Sequence, residues 1–164
     1  GGKKVSQKDT SITLIENTFI REPYCVHCKQ WTRNLTTHDC PIKHIVTVDG
    51  PLRGIVDRLY NLGIQPAEAT YDLNCFDFNV YCVKIHIPLN QQLNCEVLGD
   101  LPAGWYYGWD EETDKICMLG YLDFECYVGA RAKERVRAVA RKFEKFLSKK
   151  DPAAVKAMLL LTGV

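Results

Sequence analysis

Cys25-Val26-His27-Cys28, followed closely by His38-Asp39-Cys40, is the stretch of this chain whose residue types and spacing name a chemistry. Two thiolates at a CxxC spacing reach the same side of a tight turn and converge on one ion, and a second pair shortly afterwards can close a tetrahedral zinc shell. A shell of four protein ligands leaves no open coordination position, so the ion implied is structural and not catalytic.

The ligand set follows from local geometry. His38 and Cys40 are two apart, so in extended backbone their side chains leave one face together. His44 lies four beyond Cys40, a spacing suited to a helix. The β-branched residues after Pro41 predict a strand there, and four strand residues would separate the two side chains by roughly 13 Å. The expected ligands are therefore Cys25, Cys28, His38 and Cys40, with His44 as the alternative fourth ligand and His27 after it. The competing readings are incidental thiols, with Cys25 and Cys28 oxidised to each other, and a redox CxxC. The redox motif belongs at a strand-to-helix junction, and no such elements flank this one.

The elements that must position this cluster are legible in outline. Residues 12–20 form a short apolar lead-in, and residues 42–48 (Ile-Lys-His-Ile-Val-Thr-Val) read as a strand. Asp49-Gly50-Pro51 starts a helix carrying Leu52, Ile55, Val56, Leu59 and Tyr60 at helical spacing, stopped by Gly63, with a new strand from near Ile64. Residues 76–89 read as one strand, with Tyr81, Val83, Ile85 and Ile87 on one face and Val80, Cys82, Lys84 and His86 on the other. Residues 104–119 read as a hairpin around an acidic turn, and residues 121–128 as a further strand. Residues 130–149 are helical, with Val136, Val139, Phe143, Phe146 and Leu147 on one stripe. Asp151-Pro152 opens a last helix containing Val155, Met158, Leu159 and Leu161 and ended by Gly163. The fold class expected is α+β: a mostly antiparallel sheet with helices packed on one face, preceded by a small N-terminal zinc knuckle. The division expected is a knuckle segment, residues 1–48, and an α+β domain, residues 49–164.

Composition bounds the rest. The chain has 164 residues, 46% hydrophobic and 25% charged, which is a globular balance. No apolar run approaches the ~18 residues that span a bilayer, and the opening Gly1-Gly2-Lys3-Lys4 lacks the apolar core of a secretory signal. Three of the eight cysteines sit at metal spacing and five are scattered among apolar neighbours, which fits buried thiols of a cytoplasmic protein better than a disulfide framework. Net charge is +1 but polarised: residues 96–125 hold eight acids against Lys115, and residues 129–150 hold nine bases against Glu134 and Glu144.

Three other features bear on function. The basic helix suits a phosphate backbone, although a solvated surface helix has the same pattern. Trp105, Tyr107 and Trp109 alternate, as rings packed into a core or offered to a ligand. His86 has Asp72, Asp77 or Glu125 as candidate orienting acids and Cys82 or Cys117 as candidate nucleophiles, but no motif joins them. No Gly-rich phosphate loop or hydrolase signature is present. The function expected is a non-enzymatic zinc-knuckle binding module whose Lys29, Trp31 and Arg33 meet a nucleic acid or a protein partner. A ring and two cations on a short metal-pinned loop combine stacking with phosphate contact. The alternatives are a small metal-dependent hydrolase or nuclease using Asp110, Glu112, Asp123 and Glu125, and an assembly component that self-associates through its acidic hairpin and basic helix.

Overall fold

The first strand, β1 (Arg21–Cys25), turns through the knuckle into the two-residue β2 (Gln30–Trp31) and pairs on its other side with β3 (Ile45–Asp49), both contacts antiparallel. A computed structural model of the chain describes residues 21–32, 38–109 and 120–162. After β3 a 3-10 turn at Gly50–Leu52 leads into α1 (Arg53–Asn61), and the chain returns as β4 (Glu68–Asp77), parallel to β3. A helical crossover is what a parallel return requires. β5 (Val80–Pro88), β6 (Trp105–Trp109) and β7 (Gly120–Val128) add antiparallel pairings, giving one seven-stranded sheet in the order β2-β1-β3-β4-β5-β7-β6. Among the described residues α2 (Ala132–Ser148) and α3 (Pro152–Thr162) complete an α+β fold with a mostly antiparallel sheet and three helices. Residue 48 falls inside β3, so the knuckle strands and the later strands share this sheet.

The core lies between the sheet and its helices. Val83, Ile85 and Ile87 of β5 and Leu122 and Phe124 of β7 are buried on the same side as Ile55, Val56 and Leu59 of α1 and Val136, Phe143 and Leu147 of α2. The Phe143 ring stacks on Trp105 with centroids 3.9 Å apart, so the first ring of the aromatic strand is a core group. Gly63, at φ +87°, closes α1: its N–H reaches the Tyr60 carbonyl and the Ile64 N–H the Leu59 carbonyl. α3 begins where Asp151 Oδ1 accepts the Ala153 N–H at 3.3 Å, and it buries Val155 while packing Met158 and Leu159 against the core.

Four boundaries differ from the sequence reading. Ile42–His44 is a 3-10 turn and the strand starts only at Ile45. Pro41, extended at ψ 146°, redirects the chain there and leaves Ile42 79% exposed. The strand expected from near Ile64 begins at Glu68, after Pro66 makes an isolated bridge with Leu89. Residues 76–89 are not one strand: Phe76 and Asp77 end β4, and the chain reverses through Phe78 and Asn79 before β5. The Asp77 carboxylate accepts the Phe78 N–H at 2.6 Å and stabilises that reversal. Finally, the antiparallel partner of Trp105–Trp109 is Gly120–Val128; residues 12–20, the acidic turn at residues 110–114, the strand expected at residues 115–119 and Gly163 lie outside the described residues.

One buried charge marks the seam where β3 changes from antiparallel to parallel pairing. Asp49 is 1% exposed; its Oδ2 accepts the Tyr71 N–H at 2.8 Å and Arg21 Nε lies 3.5 Å from Oδ1. Burial raises the Asp49 pKa, against the lowering effect of the Tyr71 N–H and Arg21. A buried N–H left without an acceptor costs about 1–3 kcal/mol. Asp49→Ala should therefore lower unfolding stability in urea by that order, and Asp49→Asn, which keeps an acceptor for Tyr71, by less. Because the folded pKa is raised, the stability Asp49 confers relative to Asn should be fully present below its unfolded pKa and lost as pH rises through its folded value.

Candidate metal centre

The cluster is assembled by three local devices. β1 delivers Cys25, fully buried, at its last residue, and the turn after it returns Cys28 so that the Cys28 N–H points to Cys25 Sγ at 3.5 Å. Lys29 then adopts the left-handed conformation, φ 58°, with its N–H on the Cys25 carbonyl at 2.8 Å, which sends the chain back as β2. The Val26 N–H donates to the His44 carbonyl at 3.0 Å and holds the turn against the start of β3. The second ligand pair arrives just before that strand.

Cys25, Cys28, His38 and Cys40 come together: one donor atom from each lies within 4.8 Å of all the others. Cys28 Sγ stands 3.3 Å from His38 Nε2. Tetrahedral zinc with sulfur at about 2.3 Å and nitrogen near 2.0 Å places its ligand atoms about 3.5–3.8 Å apart. Three sulfurs and an imidazole at these spacings suit a single metal ion. Neither alternative fourth ligand belongs to this group. His27 is exposed with Nδ1 3.6 Å from Cys40 Sγ, and its ring faces that of His44 at 5.2 Å. His44 turns instead toward the edge of Tyr60 on α1, centroids 6.3 Å apart.

The thiols cannot ionise independently. Burial works against the Cys25 thiolate, but hydrogen bonds from the Cys28 N–H, the Cys28 thiol and the His27 N–H outweigh it and bring the pKa down. Cys40 is pushed up to about 11 by burial, then by hydrogen bonds to Cys25 and Cys28 and by their negative charge. Three thiolates at this range repel each other, and a dication is what lets all three lose their protons.

The knuckle is tied to the domain through Tyr24. This fully buried ring donates its hydroxyl to Asp57 Oδ1 on α1 at 2.7 Å, and burial followed by the Asp57 carboxylate raises its pKa so that it stays a neutral donor. Trp31 rests on the same ring with centroids 5.0 Å apart and remains 37% exposed. Thr32 is buried behind it, its N–H on the Pro23 carbonyl at 2.9 Å. Lys29 is exposed at the tip of the turn, and Arg33 lies outside the described residues.

The other candidate groups fall elsewhere. His86 is on the open face of the sheet, opposite the helices, and its partner is none of the acids expected from the sequence. Asp123, facing it in register on β7, takes its Nδ1–H at 2.5 Å. The pairing was hidden because the two residues are 37 apart and meet only through strand register. Glu125 accepts from Tyr127 Oη at 3.3 Å and lies 3.7 Å from Cys82 Sγ. Asp110, Glu112 and Cys117 are outside the described residues, and among the described residues the Cys and His cluster is the one group with metal-holding spacing. The seven described cysteines are free thiols. No described helix is long and apolar enough to cross a membrane. Compared with known proteins, the chain matches no protein-family model, no curated protein and no solved structure.

The hydrogen bond to Asp123 raises the His86 pKa, burial opposes it, and the charges of Asp123, Glu68 and Asp72 add to the rise. The pair's stabilisation is therefore complete below the unfolded histidine pKa of about 6.5 and fades as pH rises through the higher folded value. The stability difference between the wild-type chain and His86→Gln, taken from urea midpoints, should be larger at about pH 5.5 than at about pH 9.

Proposed function

We propose that this chain is a zinc-pinned binding module whose knuckle grips single-stranded nucleic acid. The observation that carries the reading is the exposed pair Lys29 and Trp31 on a turn fixed from behind by the cluster and by Tyr24. Three thiolates and one imidazole favour zinc over magnesium or calcium, which take oxygen ligands. All four positions are filled by protein, so the ion holds the loop's shape and does no chemistry. A half-exposed indole backed by another ring offers a rigid stacking face, the cation beside it meets a phosphate, and Arg33, two residues on in the sequence, is a second cation.

Metal analysis of the purified chain should give about one zinc per chain, and chelation should release about three additional reactive thiols. Absence of metal together with a missing thiol pair would make an oxidised CxxC the better description. Trp31→Ala should weaken binding to single-stranded RNA or DNA oligonucleotides, followed by fluorescence anisotropy, by about 1–3 kcal/mol. Lys29→Ala should reduce the salt dependence of binding by about one unit of slope. A chain with Lys29, Trp31 and Arg33 all changed to Ala that binds as well as wild type would sink the nucleic-acid reading and leave a protein partner to be sought.

A further inference from the structure

At the far edge of the sheet from the knuckle, β6, β7 and the flank of α2 line a half-open cavity of about 340 Å³. Its walls are apolar: Trp105 and Phe124 from the strands, Val139 from α2, with the Cys126 thiol beside them. Small-molecule sites typically measure about 300–1,000 Å³ and combine such walls with a few placed polar groups. Here the polar groups are two cations, Arg135 and Lys142. They stand seven residues apart on α2, two helical turns or about 10.5 Å, and so lie on one side of the helix.

Two further observations mark this cavity as built. Neither Arg135 nor Lys142 has a carboxylate at ion-pair distance among the described residues, whereas Arg58 and Arg131 on the same layer pair with Glu144 and Glu134. Cys126 and Arg135 line the same cavity, and the positive charge of Arg135 opposes the rise that burial gives the Cys126 thiol. The lip is equally constrained. Gly104 has φ +89°, and a Cβ there would stand 2.4 Å from the Phe124 ring, so only glycine lets this turn close against the wall. Trp105 is locked in place by its stack on Phe143, so the wall needs no ordering when a ligand arrives.

We propose that this cavity binds a small amphipathic organic anion, with its apolar body against Trp105 and Phe124 and its acid group held by Arg135 and Lys142. Apolar walls favour the body through burial, and the two cations, without an ion-pair partner among the described residues, select the charge. The site is independent of the knuckle and would operate whether or not the chain binds nucleic acid.

The full chain titrated with decanoate and with 1-naphthoate, followed by tryptophan fluorescence and calorimetry, should show saturable binding of at least one of them. Decyltrimethylammonium, of opposite charge, should bind at least about tenfold more weakly than the anion. The Arg135→Gln/Lys142→Gln double variant should lose at least about tenfold in affinity for the anion. So should Ala138→Trp, which fills the cavity from an exposed helical position where a large side chain does not disturb the core, with circular dichroism confirming the fold. The proposal is overturned by no saturable binding of either anion, by equal affinity for the cation, or by unchanged anion affinity in either folded variant.

Discussion

Everything on the knuckle side of this molecule depends on one strand having two kinds of neighbour. β3 pairs antiparallel with β1 and parallel with β4, so the segment that carries the metal ligands is joined to the larger sheet through a single line of backbone hydrogen bonds. The parallel line is short, with Cα partners only at Thr47 with Glu68 and Val48 with Ala69. Asp49 extends it by offering a side-chain acceptor to the Tyr71 N–H where the backbone pairing stops. Arg21, at the start of β1, approaches the same carboxylate and also Asp72, so three strands meet around one buried charge.

A second tie crosses from sheet to helix. Tyr24 fills the space between β1 and α1 and donates to Asp57, while its outer surface carries Trp31. The ring that the knuckle presents is therefore positioned by a residue immediately before the first ligand, and the ligands themselves are positioned by backbone bonds from Cys28, Lys29 and Val26. Sheet, helix and cluster fix each other. Without an ion the three thiols would compete for charge at close range, while Tyr24 and its hydrogen bond do not depend on one.

What could be read from the sequence was what depends on short range. The ligand set lies within a few residues of itself, so thiol and imidazole spacing alone grouped Cys25, Cys28, His38 and Cys40, which the fold brings together. α2 declared itself by a long stripe at helical spacing, with Val136, Phe143 and Leu147 all buried. β1 was missed because Arg-Glu-Pro-Tyr-Cys shows no alternation; its strand character comes from β3, twenty-odd residues away. The reversal after Asp77 was missed because it carries no glycine, only a carboxylate accepting the next N–H, while Phe76 and Phe78 imitate the alternation of a continuous strand. Phe78 is 96% exposed at that tip. His86 and Asp123 illustrate the other kind of hidden information, a contact set by register between strands that no local pattern encodes.

The short parallel seam also sets how the molecule breathes. β4, β5, β7 and β6 are joined by long antiparallel ladders and roofed by α2, which makes them the natural last unit to open. The knuckle strands are joined to β4 by that brief ladder and by the contacts of Arg21 and Asp49, and to the shared core by Tyr24, Val26, Val46 and Val48. Cooperative units defined by amide exchange follow such differences in ladder length and burial. By ladder length the edge that carries the cluster is expected to open before the central strands, and an ion bound there would act as a clasp, lengthening its protection without altering the exchange of the central strands.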